Sequence, residues 1–150
     1  MEKEAIGIID TGSNTVLGVI FRWDSEKDCY RCFSLADGLT VHAGLIRYVD
    51  HGVMSAEGLR VLGDALNQID AFFGEHGVCP EDVRCFATAS LRGVSNFVDA
   101  AAIAAERGYR MELLSGEEEA ACDFEGMLQE MDWLEQAGAS FPEQGVALDM

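Results

Sequence analysis

The sequence predicts an α/β fold with a mixed five-stranded sheet, three antiparallel strands leading and helical crossovers following. Three observations predict it. Apolar runs at residues 5–9, 15–23 and 28–35 are joined by short links rich in turn formers, the signature of hairpins. Two later apolar runs, 83–87 and 109–114, alternate with stretches of helical period. A chain of 150 residues that is 49% hydrophobic and 25% charged has globular composition and the length of one domain.

The elements follow in order. Thr11-Gly12-Ser13-Asn14 and Asp24-Ser25-Glu26-Lys27 supply the two hairpin links. Residues 36–54 show no sustained period beyond a short strand at 41–46. A long helix is expected from Ser55 to His76. Ser55 is an N-cap residue, Leu59, Leu62, Leu66, Ile69 and Phe73 recur on one face, and Gly77 is placed to end the helix. The strand at 83–87 precedes a helix over 94–107. The strand at 109–114 leads to Ser115-Gly116-Glu117-Glu118, which has the capping-box pattern and opens a helix over 116–133. The domain is expected to occupy residues 1–134. Residues 135–150 read as a linker and the first strand, 145–149, of a truncated second domain, whose unpaired backbone would seek a sheet edge. A homodimer through that strand is expected.

Charge narrows the functions. Lys and Arg number 10 against 27 acidic residues, a net charge of −17. Phosphate-tracking nucleic-acid binders and proteins that adhere to anionic membranes need a basic face, so neither partner is expected. Nowhere do 18 apolar residues follow one another. Cys29, Cys32, Cys79, Cys85 and Cys122 are an odd set scattered through the chain, which fits free thiols in a reducing cytoplasm. Cys29 and Cys32 have the spacing of a metal knuckle, but no second pair follows and His42, His51 and His76 form no ligand spacing.

Three places carry candidate chemistry. In Asp10-Thr11-Gly12-Ser13-Asn14, the amides of Gly12, Ser13 and Asn14 can form a nest for a phosphate, with Asp10 holding a hydrated Mg²⁺ beside it. An ordinary hairpin turn favours the same residues, and spacing does not choose between the two. Glu117, Glu118 and Glu119 complement a helix dipole, or place one carboxylate among like charges as a general base requires. Arg92, one of eight arginines, follows a strand end, where a cation meets an anionic ligand or forms a surface salt bridge.

These segments, in this order, resemble the Ppx/GppA family of exopolyphosphatases and guanosine pentaphosphate phosphatases. Residues 8–14, Ile-Ile-Asp-Thr-Gly-Ser-Asn, look like its first phosphate loop. Ala87-Thr88-Ala89-Ser90-Leu91-Arg92 with Asn96 is similar to its Ala-Thr-x-Ala-x-Arg-x-x-x-Asn signature, with Ser90 in place of the usual Ala. Ser115-Gly116-Glu117-Glu118-Glu119-Ala120 resembles its Ser-Gly-x-Glu-Glu-Ala segment, and Val146-Ala147-Leu148-Asp149 the strand before a second phosphate loop. The resemblance implies an actin-like, RNase H-like fold and release of terminal phosphate from polyphosphate or guanosine pentaphosphate, with Mg²⁺. By position it implies Glu119 as catalytic base, Gly12, Ser13, Asn14 and Arg92 as phosphate contacts, and Asp10 and Asp149 near the metal. It implies that these 150 residues alone lack half of the cleft and are inactive. The other readings are a different actin-like ATPase or sugar kinase, and a non-catalytic phosphate-binding or interaction module.

Overall fold

The computed structural model describes residues 3–136, 138 and 140. The elements run β1 (Ala5–Thr11), β2 (Val16–Asp24), β3 (Cys29–Arg31), β4 (Gly38–Val41), β5 (Val49–Asp50), β6 (Val53–Met54), α1 (Ala56–Glu75), β7 (Val83–Ala87), α2 (Ala89–Arg92), α3 (Phe97–Ala105), β8 (Met111–Leu113) and α4 (Gly116–Gln136). Two compact units result, Met1–Leu113 and Leu114–Met150. The expected domain boundary after residue 134 and the strand at 145–149 are not tested, and the latter lies outside the described residues.

The first unit is built on a mixed sheet in the order β3-β2-β1-β7-β8, with β4 also paired to β2. The leading strands are antiparallel, β1 with β2 and β2 with β3, while β7 and β8 join β1 in parallel. The sheet has six strands where five are expected. The reason lies in the third apolar run. Its strand stops at Arg31, and Ser34 caps a 3₁₀ turn at Leu35–Asp37 by accepting the Ala36 N–H. The nine-residue β2 is therefore covered in series, by β3 along Arg22–Asp24 and by β4 along Val16–Val19.

α1 forms as its pattern predicts. The Ser55 hydroxyl accepts the Gly58 N–H, and Gly77, at φ 74°, follows the end. Its stripe of Leu62, Leu66, Ile69 and Phe73 is buried with Ile9, Val16, Ile20 and Cys85 of the sheet. The helix approaches closely at Gly18, where a Cβ would stand 2.7 Å from the Ile69 side chain. The predicted 94–107 helix forms only over Phe97–Ala105, as α3, with the separate short α2 ahead of it, because Val94 turns into the core and Asn96 is engaged elsewhere. Asn96 accepts the Met54 N–H and donates to the Met54 carbonyl, 2.9 and 3.1 Å, tying the β5–β6 hairpin to the start of α3.

The second unit is described through α4. Its capping box forms as predicted: the Ser115 hydroxyl accepts the Glu118 N–H and the Glu118 carboxylate accepts the Ser115 N–H, 3.1 and 2.8 Å. Phe124 and Leu128 on this helix are exposed.

Candidate functional site

The connection between β1 and β2 is built from its carbonyls outward. The Gly12 N–H donates to the Thr15 carbonyl at 2.9 Å, closing the chain around Ser13 and Asn14. A two-residue hairpin loop normally takes a primed turn with positive φ. Among the described residues neither Gly12, Ser13 nor Asn14 has positive φ. The loop is held by other segments instead. The Thr11 carbonyl accepts from the Thr88 N–H at 3.2 Å, the Gly12 carbonyl from the Ser90 hydroxyl at 3.0 Å, the Ser13 carbonyl from the Ile46 N–H at 3.0 Å, and the Asn14 carbonyl from the Gly44 N–H at 2.8 Å.

A trans peptide places its C=O and N–H on opposite sides. Anchoring the Gly12 and Ser13 carbonyls to the protein therefore turns the Ser13 and Asn14 N–H groups away from those anchors. Among the described residues neither donates to a protein acceptor. Two adjacent amide donors with fixed direction are what a nest offers an anion. Gly12, whose N–H is already used, shapes the loop.

The second signature segment meets this loop at the same sheet edge. β1 and β7 are parallel neighbours with Thr11 opposite Ala87, so Thr88, Ser90 and the start of α2 follow the strand end that adjoins the loop. Ser90 is 4% exposed and Arg92, at the end of α2, is exposed. Asp10 precedes the loop and is exposed. Its charge, after burial, is the second cause pushing the Cys85 thiol up to about 12, which makes that thiol inert in the core.

Sequence reading missed the contribution of 44–46. These residues carry no chemical side-chain signature, since they act through backbone N–H groups. Gly44 has φ 60°, and the Arg47 guanidinium folds over it, so that a Cβ there would lie 3.1 Å from the guanidinium carbon.

The carboxylate triplet belongs to the second unit and is sorted there by environment. Glu118 is spent on the capping box, and its backbone and hydroxyl partners at Ser115 hold its carboxyl below the usual range. Glu117 is exposed and Glu119 half-buried. Among the described residues there is no group of three or more His, Cys, Asp or Glu able to hold a metal. Mg²⁺ binds through one or two carboxylates, waters and substrate phosphates, and the chemistry of Asp10, an exposed carboxylate next to the 11–14 loop, fits that mode rather than a protein cage. Asp149 lies outside the described residues.

The sequence profile of the Ppx/GppA phosphatase family matches residues 36–140. The chain belongs to the Ppx/GppA phosphatase family. The matched residues contain the Thr88–Arg92 and Ser115–Glu119 segments, and the 10–14 loop lies before them. No curated protein matches significantly. Solved structures do. An exopolyphosphatase-like protein is 24% identical with a TM-score of 0.65, over 79% of this chain and 35% of its own. The Aquifex aeolicus member of the Ppx/GppA family is 20% identical with a TM-score of 0.64, over 77% and 36%. An exopolyphosphatase from Cytophaga hutchinsonii is 24% identical with a TM-score of 0.61, over 75% and 35%. These likenesses show the fold, the actin-like ATPase fold of the family. The chain spans about a third of the length of these proteins. Among the described residues no helix is long and apolar enough to cross a membrane.

Proposed function

We propose that this chain carries the first phosphate loop and the water-activating glutamate of a phosphohydrolase that releases the terminal phosphate of polyphosphate or guanosine pentaphosphate. The observation that supports it is the loop 11–14, whose four carbonyls all accept internal hydrogen bonds while the Ser13 and Asn14 amides donate to no described protein group. Such fixed donors stabilise charge on a transferred phosphoryl without reorganising at the moment of reaction.

In this reading the Ser13 and Asn14 amides and Arg92 hold phosphoryl oxygens, and Gly12 keeps the loop close. Glu119 orients the attacking water and takes its proton. It is the member of the triplet suited to this, because Glu118 is committed to the cap and Glu117 to solvent. Asp10, with Asp149, would hold Mg²⁺. The metal's contribution is to offset charge on the phosphate oxygens. The 150 residues alone are expected to release no phosphate from polyphosphate, guanosine pentaphosphate or ATP.

The test compares two amide substitutions on one helical turn of the complete gene product. Glu119→Gln should lower turnover roughly 10²–10⁴-fold with substrate binding nearly kept, the span of a lost general base. Glu117→Gln should leave turnover within about two-fold, the scale of a small change in surface charge. Equal losses would assign the effect to helix electrostatics and remove the base from the reading. Phosphate release from ATP alone would move the protein to another class of actin-like enzyme.

A further inference from the structure

We infer that Ser90 is a positioning residue for the anion site: its hydroxyl fixes the direction of the Ser13 amide. The inference rests on the phosphate-loop reading above and deepens it. Of the four loop carbonyls, those of Thr11, Ser13 and Asn14 accept backbone N–H groups, from Thr88, Ile46 and Gly44. The Gly12 carbonyl alone among them has only a side-chain donor, the Ser90 hydroxyl at 3.0 Å. Ser90 is 4% exposed, so water does not readily replace this hydrogen bond.

The consequence is set by peptide geometry. The Gly12 carbonyl and the Ser13 N–H belong to one planar unit and point in opposite directions. Drawing the carbonyl toward Ser90 aims the Ser13 N–H away from Ser90, and a carbonyl that accepts a hydrogen bond polarises the N–H of its own unit as a donor. Ile46 does the same for the Asn14 N–H through the Ser13 carbonyl. The two amides are therefore aimed by two different segments. Ser90 also stands two residues before Arg92 on α2, so the bond that orients Ser13 ties the loop to the segment carrying the arginine. The ligand expected is an anion of the phosphate class, recognised through amide hydrogens.

The experiment uses the 150-residue chain labelled with ¹⁵N and inorganic phosphate as the probe. Ser90→Ala removes the bond with little change in volume. Ser95→Ala is the matched control, because the Ser95 hydroxyl also donates to a carbonyl, that of Gly52, remote from the loop in sequence. Ser90→Ala should weaken phosphate binding roughly five-fold, the effect of one net hydrogen bond, and displace the Ser13 amide resonance before any phosphate is added. Ser95→Ala should do neither, and Ser90→Thr should restore both. Unchanged phosphate affinity and an unchanged Ser13 resonance in Ser90→Ala would overturn the inference. If the unsubstituted chain shows no response to phosphate at Ser13, the phosphate-loop reading falls. The ligand-free spectra still decide Ser90: a Ser13 resonance moved by Ser90→Ala and not by Ser95→Ala upholds its positioning role, and an unmoved one overturns it.

Discussion

The two hairpin connections at the start of the chain are both short and rich in turn formers, yet have different physical bases. The β2–β3 turn supports itself. The Asp24 carboxylate accepts the Glu26 and Lys27 N–H groups, its carbonyl accepts the Lys27 N–H at 3.3 Å, and Asp28 takes φ 56° to return the chain. The β1–β2 connection has no positive φ, and every carbonyl from Thr11 to Asn14 is held by Thr88, Ser90, Ile46 or Gly44. A turn that needs only its own residues reverses the chain. One held by distant segments can keep its amides pointed at something else. The contrast separates a connector from a candidate binding loop where composition cannot.

That contrast can be broken at its supports. Leu45, fully buried between the two anchoring amides, is the largest lever. Leu45→Ala should cost about 2–5 kcal/mol in denaturant unfolding, as core truncations do. It should also speed hydrogen exchange at Gly44 and Ile46, while Glu26→Ala in the other turn should stay within about 0.5 kcal/mol. Equal small effects would show that the 44–46 segment is not a support.

A smaller effect comes from two left-handed residues. Gly44→Ala puts a Cβ at φ 60° and 3.1 Å from the Arg47 guanidinium. The left-handed conformation alone should cost about 1–2 kcal/mol. Asp28→Gly relieves a similar conformation in the self-supporting turn, so stability should change by less than about 1 kcal/mol. Thermal unfolding of the two variants checks the pair, and a reversed order would break the comparison.

Acid should sharpen it further. Desolvation raises the Asp24 carboxyl, but the Arg31 guanidinium and the Glu26 and Lys27 amides outweigh it and hold it below its ordinary value of 3.8. A carboxyl with a depressed folded pKa stabilises in full above the unfolded value, and that contribution is lost as pH falls through the folded value. Below pH 3.8, then, exchange at the Glu26 and Lys27 amides should quicken as the Asp24 carboxylate that holds them takes up its proton. The carbonyl anchors of the 11–14 loop contain no ionisable group, so the Gly44 and Ile46 amide exchange rates, corrected for intrinsic pH dependence, should not follow that titration. Parallel behaviour would mean that the two turns share one local mechanism.

What the sequence made legible follows from where the information sits. Ser55, Gly77 and the Ser115–Glu118 box are local devices, written in the residues that perform them, and each forms as read. The antiparallel start of the sheet is legible for the same reason, since short links allow little else. The segment 36–54 was opaque because β4 is chosen by the unfilled half of β2, and because Gly44 and Ile46 act through backbone N–H groups that any residue but proline carries. Ser90 is visible in sequence only as a departure from a signature, and its role requires the Gly12 carbonyl in space. At the candidate site, residue identities suggested the loop, while the structure separates Gly12, whose amide is consumed, from Ser13 and Asn14, whose amides are not.

The most direct test of the central claim is a phosphate titration of the ¹⁵N-labelled chain that reads both turns in one sample. The account predicts saturable shifts at the Ser13 and Asn14 amides, with the Glu26 and Lys27 amides unmoved because the Asp24 carboxylate already occupies them. Equal movement at both turns, or saturation elsewhere with Ser13 and Asn14 silent, would contradict it.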